Sequence, residues 1–151
     1  MRVFLLSLTS VIFLSTASAQ TAEDSVKAAV NKLFTGMRNA DAQMVRESFA
    51  ENAVLHTITR NKEGKLEVKN EPVSEFADFV GQVKKDSADE RISFETIKID
   101  GPMAIAWTPY NFYFNGSFSH CGVNSFQLVR YEGVWKIQYI IDTRRRAGCK
   151  Q

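Results

Sequence analysis

Apolar residues recur at helical spacing in three segments of the first half of the chain. The first segment places on one face Val26, Val30, Leu33, Phe34 and Met37, which is typical of an amphipathic helix. Thr21, with Asp24 three residues later, predicts where this helix begins. Asp41 predicts the start of a second, shorter helix. After Pro72, a third amphipathic segment contains Phe76, Phe79, Val80 and Val83.

The remaining segments predict β-strands. Residues 54–60 and 65–69 flank the hairpin loop Asn61-Lys62-Glu63-Gly64. Four more strands are expected, at 91–99, 103–114, 117–131 and about 134–144, with tight turns at Asn115-Gly116 and Glu132-Gly133. This order predicts an α+β fold, in which about three N-terminal helices pack on a curved mixed or antiparallel sheet.

The two tight turns predict which residues of the last three strands share a face, because side chains alternate along a strand. The expected cross-strand pairs are Trp107 with Asn124, Asn111 with His120, Phe126 with Tyr139 and Leu128 with Ile137. The predicted inner face carries Ile105, Trp107, Asn111, Tyr113, Phe118, His120, Asn124, Phe126, Leu128, Trp135, Ile137, Tyr139 and Ile141. The predicted outer face carries Tyr110, Phe112, Cys121, Val123, Val129 and Ile140 among polar residues that include Asp142 and Arg144. That outer face is too apolar for a fully solvated surface, so we expect a homodimer formed through it.

One end of the predicted inner face combines polar groups with aromatic side chains. The candidate ligand-binding residues there are Trp107, Asn111, Tyr113, His120, Asn124 and Tyr139. Aromatic walls with a few convergent polar groups are typical of small-molecule sites, and polar groups on an inner face each need a partner. The sequence therefore favours a ligand pocket over the alternative, an ordinary core with a polar rim whose groups hydrogen-bond to one another.

His120 is the candidate catalytic residue. Its imidazole could bind a ligand carbonyl or act as acid or base near neutral pH; a histidine held by a core hydrogen bond is an equally good interpretation. Cys121 cannot form a nucleophilic dyad with it, because adjacent strand residues point to opposite faces. The two His and two Cys lack zinc-ligand spacing. We expect neither a metal nor a cofactor.

The first nineteen residues read as a secretory signal peptide. A positive start at Met1-Arg2 precedes an apolar run, and small residues follow up to Ala19. The apolar run is shorter than the roughly 20 residues that a membrane span needs, and a buried N-terminal helix fits the pattern less well. We expect cleavage near Ala19, a periplasmic or secreted protein without a stable membrane anchor, and a single domain over residues 20–151.

Composition and charge narrow the classes of function. The chain is 44% hydrophobic and 24% charged, which excludes a disordered chain. A net charge of +2 gives no strong electrostatic attraction to nucleic acid.

In an oxidising compartment Cys121 and Cys149 could form a disulfide, or stay as one buried and one free thiol. The run Arg144-Arg145-Arg146 could bind a phosphate or carboxylate, although a solvated basic tail is the commoner explanation.

Over essentially the whole chain after the leader, the sequence resembles the nuclear transport factor 2-like (NTF2-like) superfamily, which includes SnoaL-like polyketide cyclases and ketosteroid isomerases. Within it, the "Putative lumazine-binding" branch is similar in Met103–Trp107, Tyr110–Tyr113, Phe118–Val123, Phe126–Arg130 and Gly133–Ile137, and in the ending Asp142-Thr143-Arg144-Arg145. The resemblance implies a cone-shaped α+β barrel, supports the homodimer and suggests a pteridine-like ligand.

The resemblance also argues against one activity. Ketosteroid isomerases place a catalytic Asp near the start of the first strand, and this chain has no carboxylate around Thr57. His56 is a candidate site residue that could substitute for it, although an ordinary strand histidine is at least as good an interpretation. Three interpretations stay open: a small-molecule-binding domain, a SnoaL-like cyclase, isomerase or dehydratase using His120, and a structural or interaction domain without a ligand.

Overall fold

Three helices pack against a seven-stranded sheet in the computed structural model, which describes residues 21–149. The helices are α1 (Ala22–Asn39), α2 (Ala42–Ser48) and α3 (Val73–Gln82). The strands are β1 (Phe49–Arg60), β2 (Leu66–Asn70), β3 (Ala88–Ile92), β4 (Thr96–Asp100), β5 (Met103–Phe114), β6 (Ser117–Tyr131) and β7 (Val134–Arg145). The predicted signal peptide, Met1–Ala19, lies outside the described residues.

The side chains expected to cap the first two helices do so. Thr21 Oγ1 accepts a hydrogen bond from the backbone N–H of Asp24 at 3.1 Å, and Asp41 Oδ1 accepts one from Met44 at 2.9 Å. Each bond satisfies one of the backbone donors that a helix leaves unpaired at its start. The sequence signals for α1 and α2 therefore correspond to the contacts that begin these helices.

The sheet is mixed and open. Its strand order is β2-β1-β7-β6-β5-β3, with β4 also paired to β5. β1 runs parallel to β7, and every other pair is antiparallel. The core lies between the helices and one face of the sheet, where Val26 and Val30 of α1 are buried in the same cluster as Phe126, Leu128 and Ile137. The α+β fold class predicted from the sequence is confirmed.

The single strand predicted at 91–99 is two strands. β3 pairs with the second half of β5 and β4 with the first half. Between them the backbone N–H of Ser93 donates to the carbonyl of Pro109. Because Pro109 has no N–H to return, the ladder is interrupted at this point. The interruption also places Glu90 in a strand of its own.

Two β-bulges change the predicted pairing. One lies between Phe112 and Tyr113 and the other between Gln127 and Leu128. The turn-proximal pair Leu128 with Ile137 was predicted correctly, and three predicted pairs are wrong by one residue. The observed pairs are Trp107 with Ser125, Asn111 with Cys121, and Phe126 with Ile140.

A one-residue shift moves side chains to the opposite face of a strand. In β5 the buried residues are Ala104, Ala106, Thr108 and Tyr110, whereas Ile105 and Trp107 are 41% and 47% exposed. In β7 the residues beyond the bulge that turn inward are Ile140 and Asp142, not Tyr139 and Ile141. The inner face predicted from the sequence is therefore wrong for most of β5 and for the second half of β7.

Candidate functional site

A cavity of about 750 Å³ lies between the helices and the inner face of the sheet. Part of its wall is apolar and is formed by Leu33, Phe34, Met37, Leu55, Phe76, Phe79, Phe112, Phe114, Phe126 and Ile140. The rest is polar or charged and is formed by Thr59, Glu71, Glu90, Tyr110, Ser119, His120, Asn124, Asp142, Arg144, Arg145 and Arg146. A cavity of this size can hold a ligand of several rings.

Asp142 is the centre of the polar wall. It is 5% exposed, and its Oδ1 accepts a hydrogen bond from Thr57 Oγ1 at 2.6 Å. Its Oδ2 accepts from Tyr110 OH at 3.1 Å and from Arg144 Nε at 2.9 Å. Arg144 also donates from Nη2 to Thr57 Oγ1 at 2.9 Å. A buried carboxylate with this many donors holds its neighbours in fixed positions.

The ring of Tyr110 lies against Gly122, and its hydroxyl group reaches Asp142. A Cβ atom on Gly122 would lie 2.8 Å from Tyr110 Cε1 and 1.7 Å from the carbonyl oxygen of Thr143. Tyr110 OH donates to that same oxygen as well, at 3.0 Å. Burial and the negative charge of Asp142 raise the pKa of Tyr110. The phenol therefore stays protonated and donates its hydrogen bond to the carboxylate.

Glu90 enters the cavity from β3, and its one side-chain hydrogen-bond partner within residues 21–149 is Asn124 of β6. The Nδ2 group of Asn124 donates to Glu90 Oε1 at 2.8 Å. Burial, and secondarily the negative charge of Asp142, raise the pKa of Glu90 to about 7, although the bond from Asn124 favours the ionised form. Glu90 is therefore a carboxyl group that exchanges its proton near neutral pH.

His120 lines the cavity next to aromatic rings. Its Nδ1 lies 3.0 Å from Ser119 Oγ, and its ring centroid is 5.7 Å from that of Tyr110 and 5.1 Å from that of Phe112. Burial and the positive charge of Arg144 lower the pKa of His120, so the neutral imidazole predominates at neutral pH. The catalytic role proposed for it from the sequence stays a prediction.

Of the seven predicted ligand-binding residues, His120 and Asn124 line this cavity. The other five do not: Trp107, Asn111, Tyr113, Tyr139 and His56. The bulges explain Trp107, Asn111 and Tyr139, because each bulge shifts the pairing beyond it by one residue and so changes which residues face the helices. Tyr113 keeps its predicted partner, Phe118, but stands next to Phe112, which is the residue that lines the cavity.

The displaced residues form contacts elsewhere. His56 Nδ1 lies 3.1 Å from Tyr139 OH, and the two rings meet edge to face. The Arg91 guanidinium lies 4.2 Å from the centre of the Tyr113 ring. These pairs have structural roles in the sheet that do not involve the cavity.

Six polar residues of the cavity were missed by the sequence analysis: Thr59, Glu71, Glu90, Tyr110, Ser119 and Asp142. The run of three arginines was considered there as a possible anion-binding segment. A sequence signal was available for Asp142, because it alternates with Arg144 at the end of an apolar strand. Glu90 gave no signal, since its strand begins before the predicted one.

Thr57 occupies the position at which the resemblance to ketosteroid isomerases leads one to expect an Asp. The carboxylate that stands there is Asp142, which is paired with Thr57 across the parallel strands β1 and β7. It is bound by Tyr110, Thr57 and Arg144.

The segment after β7 is connected back to the sheet. Cys121 of β6 and Cys149 form a disulfide, which closes the chain around the three arginines. Within residues 21–149, no helix is both long and apolar enough to cross a membrane. The same residues contain no group of three His, Cys, Asp or Glu side chains that could hold a metal ion.

Comparison with known proteins agrees with this architecture. The model of the family described as "Putative lumazine-binding" matches residues 21–139. An NTF2-like protein of unknown function from Shewanella baltica OS155 is similar in structure, with a TM-score of 0.66 and 18% identity over 83% of this chain and 94% of that one. An NTF2-like protein of unknown function from Methylobacillus flagellatus KT has a TM-score of 0.64 and 17% identity over 87% and 98%.

A third solved structure is a domain of unknown function with a cystatin-like fold from Nostoc punctiforme PCC 73102. Its TM-score is 0.62, with 16% identity over 89% of this chain and 82% of that one. A comparison with curated proteins gives no match. At these identities the structural likeness establishes the fold alone.

Proposed function

Because the chain belongs to the "Putative lumazine-binding" family of the NTF2-like superfamily, we propose that it binds one small molecule in the cavity. The observation that supports this most strongly is the cavity itself, about 750 Å³ with one apolar and one polar wall. A self-satisfied core leaves no such space, since protein interiors are close-packed. The family description suggests a pteridine-like ring system.

The polar wall favours a ligand with hydrogen-bonding groups along one edge. In the part of the chain that the structure describes, Glu90 has a single side-chain hydrogen-bond partner, whereas Asp142 is already bound by three side chains. A ligand would therefore meet Glu90 and Asn124 directly, and the Asp142 network would hold the surrounding side chains in place. A flat heterocycle with N–H and C=O groups on one edge fits this arrangement.

Fluorescence titration tests the proposal with N-phenyl-1-naphthylamine, an uncharged probe that brightens in apolar surroundings. We expect saturable binding of one probe per chain. Ser119→Trp and, independently, Thr59→Trp put a large side chain into the cavity wall and should abolish the signal in folded protein. A signal that survives both variants would place the probe elsewhere and contradict the proposal.

We further propose that the protein is exported. The leader at residues 1–19 supports this, and so does the Cys121–Cys149 disulfide, because disulfides persist in oxidising compartments. N-terminal sequencing of the protein from its own cells tests the cleavage. A mature chain that begins at Gln20 is expected, and a chain that retains Met1 would contradict export.

A second copy of the chain is the partner that we propose for the outer face of the sheet. Met103, Ile105 and Trp107 stand at alternate positions of β5 on that face and are 52%, 41% and 47% exposed. Three adjacent large apolar side chains in water favour association. The homodimer was expected from the sequence, but the residues assigned to its interface change, because Tyr110, Phe112 and Ile140 line the cavity instead.

A further inference from the structure

Three consecutive arginines reach the cavity at the end of β7. Arg144, Arg145 and Arg146 all line it, and all three are exposed to solvent as well. They therefore stand where the cavity opens. The disulfide between Cys121 and Cys149 ties the segment that follows them to β6, so the arginines are not part of a free tail.

The three arginines differ in whether a carboxylate lies close to the guanidinium group. Arg144 is bound by Asp142, and its Nη2 lies 3.8 Å from Glu71 Oε2. Among residues 21–149, neither Arg145 nor Arg146 has a carboxylate within the 4.0 Å that defines an ion pair. Two guanidinium groups with ten N–H donors between them are thus available at the opening.

Two of these arginines act on a side chain inside the cavity. Burial lowers the pKa of His120 most, the positive charges of Arg144 and Arg146 lower it further, and the negative charge of Asp142 opposes them. A histidine on the inner wall therefore lies in the positive field of the opening. An anion placed there would gain from that field, and a guanidinium binds carboxylates and phosphates through paired hydrogen bonds.

The acidic residues of the cavity lie on other elements. Glu90 belongs to β3 and is bound to Asn124. Glu71 follows β2 and lies near Arg144. A negatively charged group is therefore disfavoured beside Glu90 and favoured beside Arg145 and Arg146, which fixes the orientation of an asymmetric ligand.

We propose that the ligand is an anion, whose flat ring system fills the cavity while a carboxylate or phosphate-like group binds Arg145 and Arg146. This inference rests on the proposed function and specifies its ligand class. A solvated basic tail, the commoner explanation of such a run, would leave binding indifferent to ligand charge.

Two probes with the same ring framework test the inference. N-phenyl-1-naphthylamine is neutral, and 1-anilinonaphthalene-8-sulfonate adds one sulfonate. We expect the sulfonate probe to bind the cavity at least about tenfold more tightly than the neutral one. In the double variant Arg145→Gln/Arg146→Gln this advantage should fall to less than about threefold.

Two controls isolate the arginines. Lys62→Gln/Lys65→Gln removes the same net charge from the β1–β2 hairpin loop, outside the cavity lining, and should leave the advantage intact. Added salt should reduce it in the wild-type protein. Binding to the cavity is measured as the part of the probe fluorescence that is lost in Ser119→Trp. Sulfonate probe bound to the outer face of the sheet is thereby excluded.

Equal affinities of the wild-type protein for the two probes would overturn the inference, as would an advantage that persists in the double arginine variant. Both results leave the proposed function intact, because the neutral probe still binds. If the neutral probe does not bind at all, the proposed function fails and this inference fails with it.

Discussion

Two carboxyl groups of the cavity, Asp142 and Glu90, differ in how fully they are bound. Asp142 accepts hydrogen bonds from a threonine, a tyrosine and an arginine, whereas Glu90 accepts one from Asn124. A buried charge is tolerated when donors surround it and is otherwise neutralised. Asp142 is therefore the structural carboxylate of the site, and Glu90 is the one that a ligand can meet.

Glu90→Gln should change how stability depends on pH. Burial raises the pKa of Glu90 to about 7 from 4.5. The Glu90 carboxyl therefore binds a proton more tightly in the folded chain than in the unfolded chain, and its contribution to the free energy of unfolding falls as pH rises from about 5 to 8. The contribution from Glu90 is roughly 2–3 kcal/mol, and the variant should lose it. Urea denaturation of both proteins at several pH values measures the difference.

The exposed loop residue Glu63 provides the control for this prediction. Glu63→Gln should leave the pH dependence as it is in the wild type, because its carboxyl group lies in solvent. Parallel curves for the wild type and Glu90→Gln would show that the Glu90 carboxyl is not held in a desolvated site. The charged groups that act on it, Asp142 and Arg144, are present in both proteins.

Asp142→Asn should destabilise the fold by roughly 2–4 kcal/mol, because it removes the buried carboxylate that accepts hydrogen bonds from a threonine, a tyrosine and Arg144. The matched control is Asp78→Asn on α3. Asp78 pairs with Arg46 in solvent, so this change should cost less than about 1 kcal/mol. Chemical denaturation compares them, and equal losses would mean that the Asp142 network does not stabilise the site.

At the scale of elements, the sequence predicted the helices and strands well but not the faces of the strands. Caps such as Thr21 and turns such as Asn115-Gly116 are local signals, and they correspond to the observed ends of α1, β5 and β6. A bulge inserts one residue without a composition signal. The bulge between Phe112 and Tyr113 therefore reversed the predicted face of β5. Trp107, predicted to face inward, is exposed, and Tyr110, predicted to face outward, is buried.

Gly122→Ala should cost at least about 3 kcal/mol or prevent folding, since the added Cβ would lie 1.7 Å from the backbone oxygen of Thr143. Backbone atoms of two paired strands cannot move apart without loss of their ladder. Thermal unfolding measured by circular dichroism checks this.

The comparison for Gly122 is Gly64→Asn. Gly64 has a φ of +79° and open space around a Cβ, and Asn tolerates this conformation. We expect Gly64→Asn to cost less than about 1 kcal/mol. A fully stable Gly122→Ala protein would contradict the close approach of β6 and β7.

For the whole molecule, the fold class and a pocket were predicted from the sequence, but most of the residues that line the cavity were not. The order of helices and strands, read from periodicity, is enough to place three helices on one face of a sheet. The volume between the layers depends on how strands shift and curve, and on long-range pairs such as Glu90 with Asn124. His120 and Asn124 were predicted as site residues because β6 keeps its predicted face near the site.

Trp107→Lys should convert a dimer into a monomer. A charged side chain in the apolar row Met103, Ile105 and Trp107 costs free energy when it is buried against a second copy. Light scattering during size-exclusion chromatography at micromolar concentration measures the mass. Leu66→Lys, at an exposed position of β2, should leave the dimer intact. A wild-type protein that is monomeric under these conditions would contradict the proposed interface.

The most direct test of small-molecule binding in the cavity is a native, non-reducing mass spectrum of the protein purified under mild conditions from its own cells. We predict the mass of the disulfide-bonded chain plus one small molecule, which is released on denaturation and absent from Ser119→Trp. The bare chain mass, both as purified and after incubation with N-phenyl-1-naphthylamine, would contradict the account.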